Sequence, residues 1–281
     1  MQTIAYAEIV CAVADLCVRA NTVLPPDLCA ALRAAAQAEA SPVGQAILGD
    51  VVDNFTFAAQ KGLPICQDTG MAVVFAELGQ EVHITGGLLE DAVNEGVAKG
   101  YTEGHLRCSV VGDPLGRENT GDNTPAILHL RLVAGETLKL TLAPKGFGSE
   151  NMTALKMFTP AATGEDIVNF IVDSVSAAGS NPCPPIIVGV GLGGTAERAA
   201  LLAKEALLLS LDRERTDPRY AALEQKALAR INALGIGPQG LGGRTTALGV
   251  RILPHPTHIA GLPCAVSLGC HVTRHASVTL G

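Results

Sequence analysis

"AILHLRLVAGETLKLTLAPKG", residues 126–146, alternates leucine with other residues on both sides of Ala134-Gly135-Glu136. Leu128, Leu130 and Leu132 fall on one side of the first segment, and Leu138, Leu140 and Leu142 on one side of the second. A period of two marks a half-buried strand, and the glycine turn between the segments reads as the reversal of a β-hairpin. Upstream the period changes. From residue 3 to 60, apolar residues recur at three and four positions, with "NTVLPPD" as one break and "SPVGQAI" as a restart. There Ser41 is placed to cap a helix and Pro42 to occupy its first position, so three helices are predicted. Helices followed by strands give an α+β fold: a helical N-terminus over 1–60, then a mainly antiparallel or mixed sheet flanked by helices, within a single domain spanning 1–281.

Other segments fill in this plan. "MAVVFAEL" reads as a strand, "EVHITGG" as a second extended piece, and residues 88–100 as a helix. Residues 151–178 read as helical, interrupted near Pro160 and restarted at Thr163. "NPCPPIIVGVGLGGTAERAALLAKEALL" is a turn, a buried strand, a glycine turn and a helix, and 218–234 is another helix. The remainder alternates short extended pieces with Gly/Pro turns. No internal repeat, low-complexity tract or linker stands out.

At 281 residues with a net charge of −7 and no Lys/Arg cluster, the chain lacks what nucleic acids or anionic membranes require. Six Phe, three Tyr and no Trp leave little material for stacking bases. No apolar run approaches a membrane span, and "MQTIAYAEIV" lacks the basic-then-apolar plan of a signal peptide, so a cytoplasmic location is expected. In a reducing compartment the eight cysteines are thiols or metal ligands rather than disulfides.

Cys11, Cys17 and Cys29 lie in the predicted helices on or beside the apolar face, where core packing is expected. Cys66 in "PICQDTG", Cys183 in "NPCPP" and Cys270 in "SLGCHVTRH" are different, each on a turn or strand end. No C-x-x-C pair occurs, so any metal site has to be assembled by the fold. Arg107, Lys145 and His258 lie on turns nearby in pattern and suit a carboxylate or a proton-transfer task. The run "GVGLGG" at 189–194 matches a pyrophosphate-binding fingerprint, on which a dinucleotide-binding oxidoreductase would use Gly189, Gly191 and Gly194. The expected acidic partner at the end of a second parallel strand is missing, and a tight strand-to-helix connection is the preferred reading. A non-catalytic scaffold subunit is a third possibility.

"CQDTG", "LRCSVVGDPLGRENTGDNTPA", "LAPKGFGSEN", "NPCPPIIVGVGLGGTAE" and "HPTHIAGLPCAVSLGCHVTRH" together resemble, in order, the class I iron–sulfur fumarate hydratases and their relative L-tartrate dehydratase. The resemblance implies a [4Fe-4S] hydro-lyase in which Cys66, Cys183 and Cys270 each bind one iron and the fourth iron has no protein ligand. It further implies that Gln67 and Asp68 line the site, that Arg107 clamps a substrate carboxylate and Gly148 offers backbone contact. His258 would share proton handling with Asp68. Cys264, the other cysteine near the third position, is expected in the core. Where the family commonly has an all-glycine "KGGG", this chain has Lys145-Gly146-Phe147-Gly148, which bears on pocket shape. Its length matches the α subunit of the two-subunit form. That form needs a β subunit to complete the site, as an α2β2 assembly acting on a small dicarboxylate: (S)-malate and fumarate first, L-tartrate to oxaloacetate second.

Overall fold

In the computed structural model, which describes residues 2–281, the N-terminal pattern becomes helices α1 (Tyr6–Thr22), α2 (Pro26–Ala38) and α3 (Pro42–Lys61). A short strand, β1 (Gln2–Ala5), precedes them. Gly44 N donates to Ser41 Oγ at 3.2 Å with Pro42 opening the helix, as the sequence predicts. Next come β2 (Met71–Gly79), β3 (Val82–Thr85), α4 (Leu89–Glu103), β4 (Ile127–Val133), β5 (Leu138–Lys145) and the single turn α5 (Phe147–Glu150). Then follow β6 (Ala154–Phe158), α6 (Gly164–Ala178), β7 (Ile186–Gly193), α7 (Ala196–Ala206), α8 (Pro218–Asn232), β8 (Ala247–His255), β9 (Leu262–Gly269) and β10 (Ala276–Leu280). The class is the expected α+β, with mixed sheets.

The chain divides into two compact units. One holds the stretch up to Pro25, Phe55–Gly146 and Arg274–Gly281; the other holds Pro26–Asn54 and Phe147–Thr273.

The first unit is built on a sheet of order β10-β5-β2-β4, antiparallel except for the parallel pair β2/β4. The expected hairpin is therefore corrected. β4 and β5 do run in opposite directions, but β2 lies between them: Leu128 faces Val74 and Leu142 faces Val74 from the other side. The geometry allows it because the four residues 134–137 reach about 13 Å when extended, more than the roughly 10 Å between next-nearest strands. Burial follows position. Leu138, Leu140 and Leu142 on the inner strand are fully buried, whereas Leu130 and Leu132 on the edge strand are 54% and 69% exposed. The same sheet face meets α1 and α4 through Ala72, Val74, Ala76, Val13, Leu16 and Val97. The opposite face is polar: Glu77 pairs with Arg131 and Lys139, and Thr141 shares a hydrogen bond with Ser277. Helices α1 and α4 approach closely at Gly96, where a Cβ would lie 2.6 Å from Val13 Cβ.

The second unit has a sheet of order β6-β9-β7-β8, again antiparallel except for one parallel pair, β7/β8. β7 is buried along nearly its whole length because helices cover both faces. Helices α6 and α8 pack on one through Ile167, Ile171, Ala227 and Ile231, and α7 on the other through Ala199 and Ala203. That second contact needs glycine: a Cβ at Gly191 would sit 1.9 Å from Ala199 O. Residues 154–158, expected to be helical, instead form β6, because Leu155, Lys156 and Met157 pair with Ala265, Cys264 and Pro263 of β9. Helix α6 starts at the predicted point, with a capping box between Thr163 and Asp166. Among the described residues no helix is long and apolar enough to cross a membrane.

Candidate active site

In the first unit the candidate residues gather where the chain enters β2. Ile65 N donates to Asn21 O at 3.0 Å, which fixes the chain just before Cys66. Asp68 Oδ1 accepts from Gly70 N at 3.0 Å, closing a local turn that sets the rotation of the carboxylate. Gly70 has φ +74, a conformation other residues adopt only under strain. Three consecutive carbonyls are then held by buried side chains. Arg274 Nη2 donates to Asp68 O at 2.6 Å, Tyr101 Oη donates to Thr69 O at 2.7 Å, and Asn123 Nδ2 donates to Gly70 O at 3.1 Å. Thr69 Oγ1 donates to Arg107 O at 2.9 Å, which brings the start of the long polar loop against the turn while the Arg107 side chain stays exposed. Cys66 is half-buried, with its sulfur 3.5 Å from Gln67 Oε1. Cys66, Gln67, Asp68 and the backbone of Arg107 thus lie together.

In the second unit the equivalent place is the entry to β7. Cys183 is exposed and left-handed at φ +54, its N–H on Ser180 O at 2.9 Å. His271 N donates to Cys183 O at 3.3 Å, so Cys183 and Cys270 come from adjacent chain ends, before β7 and after β9. Gln239 holds this turn by donating both its backbone N–H and its side-chain Nε2 to Pro184 O, each at 2.8 Å. Gly148 belongs to the same neighbourhood, since a Cβ there would lie 3.1 Å from Asn181 O. Phe147, the departure from the all-glycine loop, is 47% exposed. His258 sits apart, on the exposed β8–β9 connection, with Nδ1 accepting from Ala260 N at 3.1 Å.

The thiols sort by surroundings. Cys17 and Cys264 are fully buried, and desolvation pushes both upward, Cys264 to about 12, which keeps them protonated and poor ligands. Cys264 is thus in the core, as expected. Burial raises Cys108 too, followed by the charge of Asp122. Cys29 is half-buried, and Cys11 is exposed on α1, so its expected core placement is corrected: the apolar stripe of that helix passes beside it. Cys66, Cys183 and Cys270 all keep solvent access, and Val272 N points at Cys270 Sγ at 3.4 Å, the kind of amide donor that stabilises a thiolate bound to iron. Among the described residues no group of three or more His, Cys, Asp and Glu could hold a single metal ion. Accessible thiols are the donors that an iron–sulfur cluster takes, one per iron.

The glycine run has a packing explanation. Gly189 and Gly191 lie inside β7 under α7, and the parallel neighbour β8 ends in Leu253-Pro254-His255 with no acidic residue for a ribose. Tyr101, Asn123, Gln239 and Arg274 were not legible as site residues. Asn123 and Gln239 share left-handed backbones, at φ +65 and +52, and their setting among Gly, Asn and Pro was the available signal. Tyr101 looks like any core aromatic.

The chain matches the family model described as fumarate hydratase (Fumerase) over residues 10–279. A protein of Methanocaldococcus jannaschii, provisionally named L(+)-tartrate dehydratase subunit alpha, is 39% identical over 270 residues, 94% of each chain. The L(+)-tartrate dehydratase alpha subunits of Escherichia coli and Shigella boydii are each 30% identical over 269 residues, 95% of this chain and 88% of theirs. With the match running through nearly its whole length and through both cysteine-bearing turns, the chain belongs to the fumarate hydratase family of hydro-lyases.

Proposed function

We propose that the chain is the α subunit of a [4Fe-4S] hydro-lyase that interconverts (S)-malate and fumarate, with Cys66, Cys183 and Cys270 as ligands. The observation that carries this reading is the pairing of Cys183 with Cys270, two accessible thiols on adjacent strand ends, one with an amide aimed at its sulfur. When bound, the cluster supplies a Lewis-acidic iron with no protein ligand. The protein does the rest. Dehydration breaks a C–H bond next to one carboxylate and a C–O bond on the neighbouring carbon; the C–H electron pair becomes the double bond and the leaving oxygen takes up a proton to become water. Asp68, its rotation fixed by Gly70 N–H, delivers that proton at the leaving oxygen. Arg107 pairs a substrate carboxylate with its planar fork, Gln67 donates to the substrate from the same turn, and Gly148 gives a side-chain-free approach. Removal of the carbon-bound proton is assigned to a β subunit, which also supplies further cations; the names of the relatives as alpha subunits support a two-chain assembly, here read as α2β2.

L-Tartrate as substrate is the second reading, favoured by the names of the relatives. The test is anaerobic reconstitution of the chain with a β subunit, followed by parallel assays of fumarate hydration and tartrate dehydration. Brown protein with about four irons per chain and a fumarate kcat/KM at least about tenfold above that for tartrate is the expected result. The reverse ratio would move the assignment to tartrate, and colourless, iron-free protein would sink the cluster.

A further inference from the structure

We infer that Arg274 is a positioning residue for the reaction: its buried guanidinium holds the main chain of Asp68 and so aims that carboxylate and the neighbouring Gln67. Arg274 is 4% exposed, a rare state for an arginine without a structural task. Its Nη2 donates to Asp68 O at 2.6 Å and its Nε to Asn21 Oδ1 at 3.1 Å. Asn21, 1% exposed, is itself oriented by donating through Nδ2 to Cys17 O at 2.9 Å, inside helix α1. The backbone carbonyl of the same Asn21 accepts from Ile65 N. One residue at the end of α1 therefore anchors both sides of the Cys66-Gln67 dipeptide: residue 65 directly, and residue 68 through the guanidinium. Tyr101 and Asn123 fix the next two carbonyls. The turn has no secondary structure of its own, so these bonds decide where Asp68 stands. A displacement of about 1 Å in such a group can cost about a hundredfold in rate.

The inference rests on Asp68 as the proton-handling residue, and the experiment separates the two. In the reconstituted two-subunit enzyme, Arg274→Met is expected to lower kcat by at least about thirtyfold with KM within about threefold, because binding by Arg107 is left in place. Arg274→Lys, which keeps one donor, should recover part of the loss. Independently of activity, hydrogen exchange of the full α chain, with and without iron, should be at least about tenfold faster over residues 66–71 in Arg274→Met, with β7 and β9 unchanged. If Arg274→Met does not fold, Asn21→Ala keeps the arginine but frees its Nε and should show the same two changes, smaller. Full activity of Asp68→Asn would overturn the proton-handling reading. With Asp68→Asn inactive, a folded Arg274→Met variant with near-wild-type kcat, or with unchanged exchange at 66–71, would overturn the clamp.

Discussion

The two sheets have one wiring plan and two kinds of cover. In each, a central strand (β2 or β7) crosses by helix to a parallel edge strand (β4 or β8), and the chain returns antiparallel on the other side of the centre (β5 or β9). The fourth strand, β10 or β6, adds antiparallel outside. The first sheet buries one face under α1 and α4 and keeps a polar face with Glu77 and Thr141; the second is buried on both. Close approach is achieved differently as well, by Gly96 between helices and by Gly191 between strand and helix. What the units share is the place where reactive side chains sit: Cys66 and Asp68 before β2, Cys183 before β7, Cys270 after β9. In both, an amide side chain from the loop before the parallel edge strand, Asn123 or Gln239, holds a carbonyl of that entry turn. The covering layers can differ because the chemistry depends on the strand ends.

The comparison breaks most visibly at the thiols. If both entry turns serve one cluster, Cys66→Ser, Cys183→Ser and Cys270→Ser should each lose essentially all iron and colour on anaerobic reconstitution, whereas Cys264→Ser keeps them; full iron in Cys66→Ser would leave the first turn out of the ligation. The packing contrast is tested next by urea unfolding. Gly191→Ala should destabilise by more than about 3 kcal/mol, because the Cβ would fall 1.9 Å from a backbone oxygen, and Gly96→Ala by about 1–3, because its approaches to Val13 and Val10 O are looser and alanine's helix propensity offsets part of the overpacking. Equal losses would show that the two covers tolerate volume alike.

Acid should act mainly on the second unit. Glu39 is 2% exposed, and burial works against its charge. Backbone N–H groups of Ser41, Arg244 and Thr245 and the Thr245 side chain outweigh that and hold the carboxyl at about 2, well below its ordinary 4.5. A depressed carboxyl stabilises the fold fully above its unfolded value, and the stability is lost as pH falls from about 4.5 toward 2, a loss on the order of 3 kcal/mol. In Glu39→Gln that part of the pH dependence should vanish; an unchanged acid limb in urea titrations would remove Glu39 as its source. The smallest effects belong to the amide pair. Asn123→Ala, at a fully buried site, should destabilise by about 1–3 kcal/mol and Gln239→Ala by about 1. The reverse order would place the more demanding turn in the second unit.

Much of this was legible in the sequence where local pattern and local structure agree. The three N-terminal helices, β2, β7 and the helix restart at Thr163 follow from periodicity and end signals. The pairing of β4 with β2 was not, since alternation states that a segment is extended and says nothing of its neighbour. Residues 154–158 misled because Ala, Leu, Lys and Met favour helices in isolation; only β9 makes them a strand. The repeated wiring left no sequence repeat, because strand order can recur with unrelated side chains. At the site, the Cys-Gln-Asp turn was visible by composition and the set of roles by family resemblance. Arg274, Tyr101 and Asn123 were invisible because their partners are carbonyls, which carry no residue-specific mark.

The segmentation of the first unit has a further consequence, in the order of synthesis. A ribosome delivers β5 and the Asp68 turn early, but the strand that pairs outside β5 and the guanidinium that holds Asp68 O both come from residues 274–280, after the whole of β6 to β9 has been made. Until then the outer edge of β5 lacks its partner strand, and the turn has Tyr101 and Asn123 on its next two carbonyls but no guanidinium on Asp68 O. The aiming of Asp68 is thereby a late event in the life of each molecule, and a nascent chain stalled before residue 274 carries the cysteines without the fixed carboxylate.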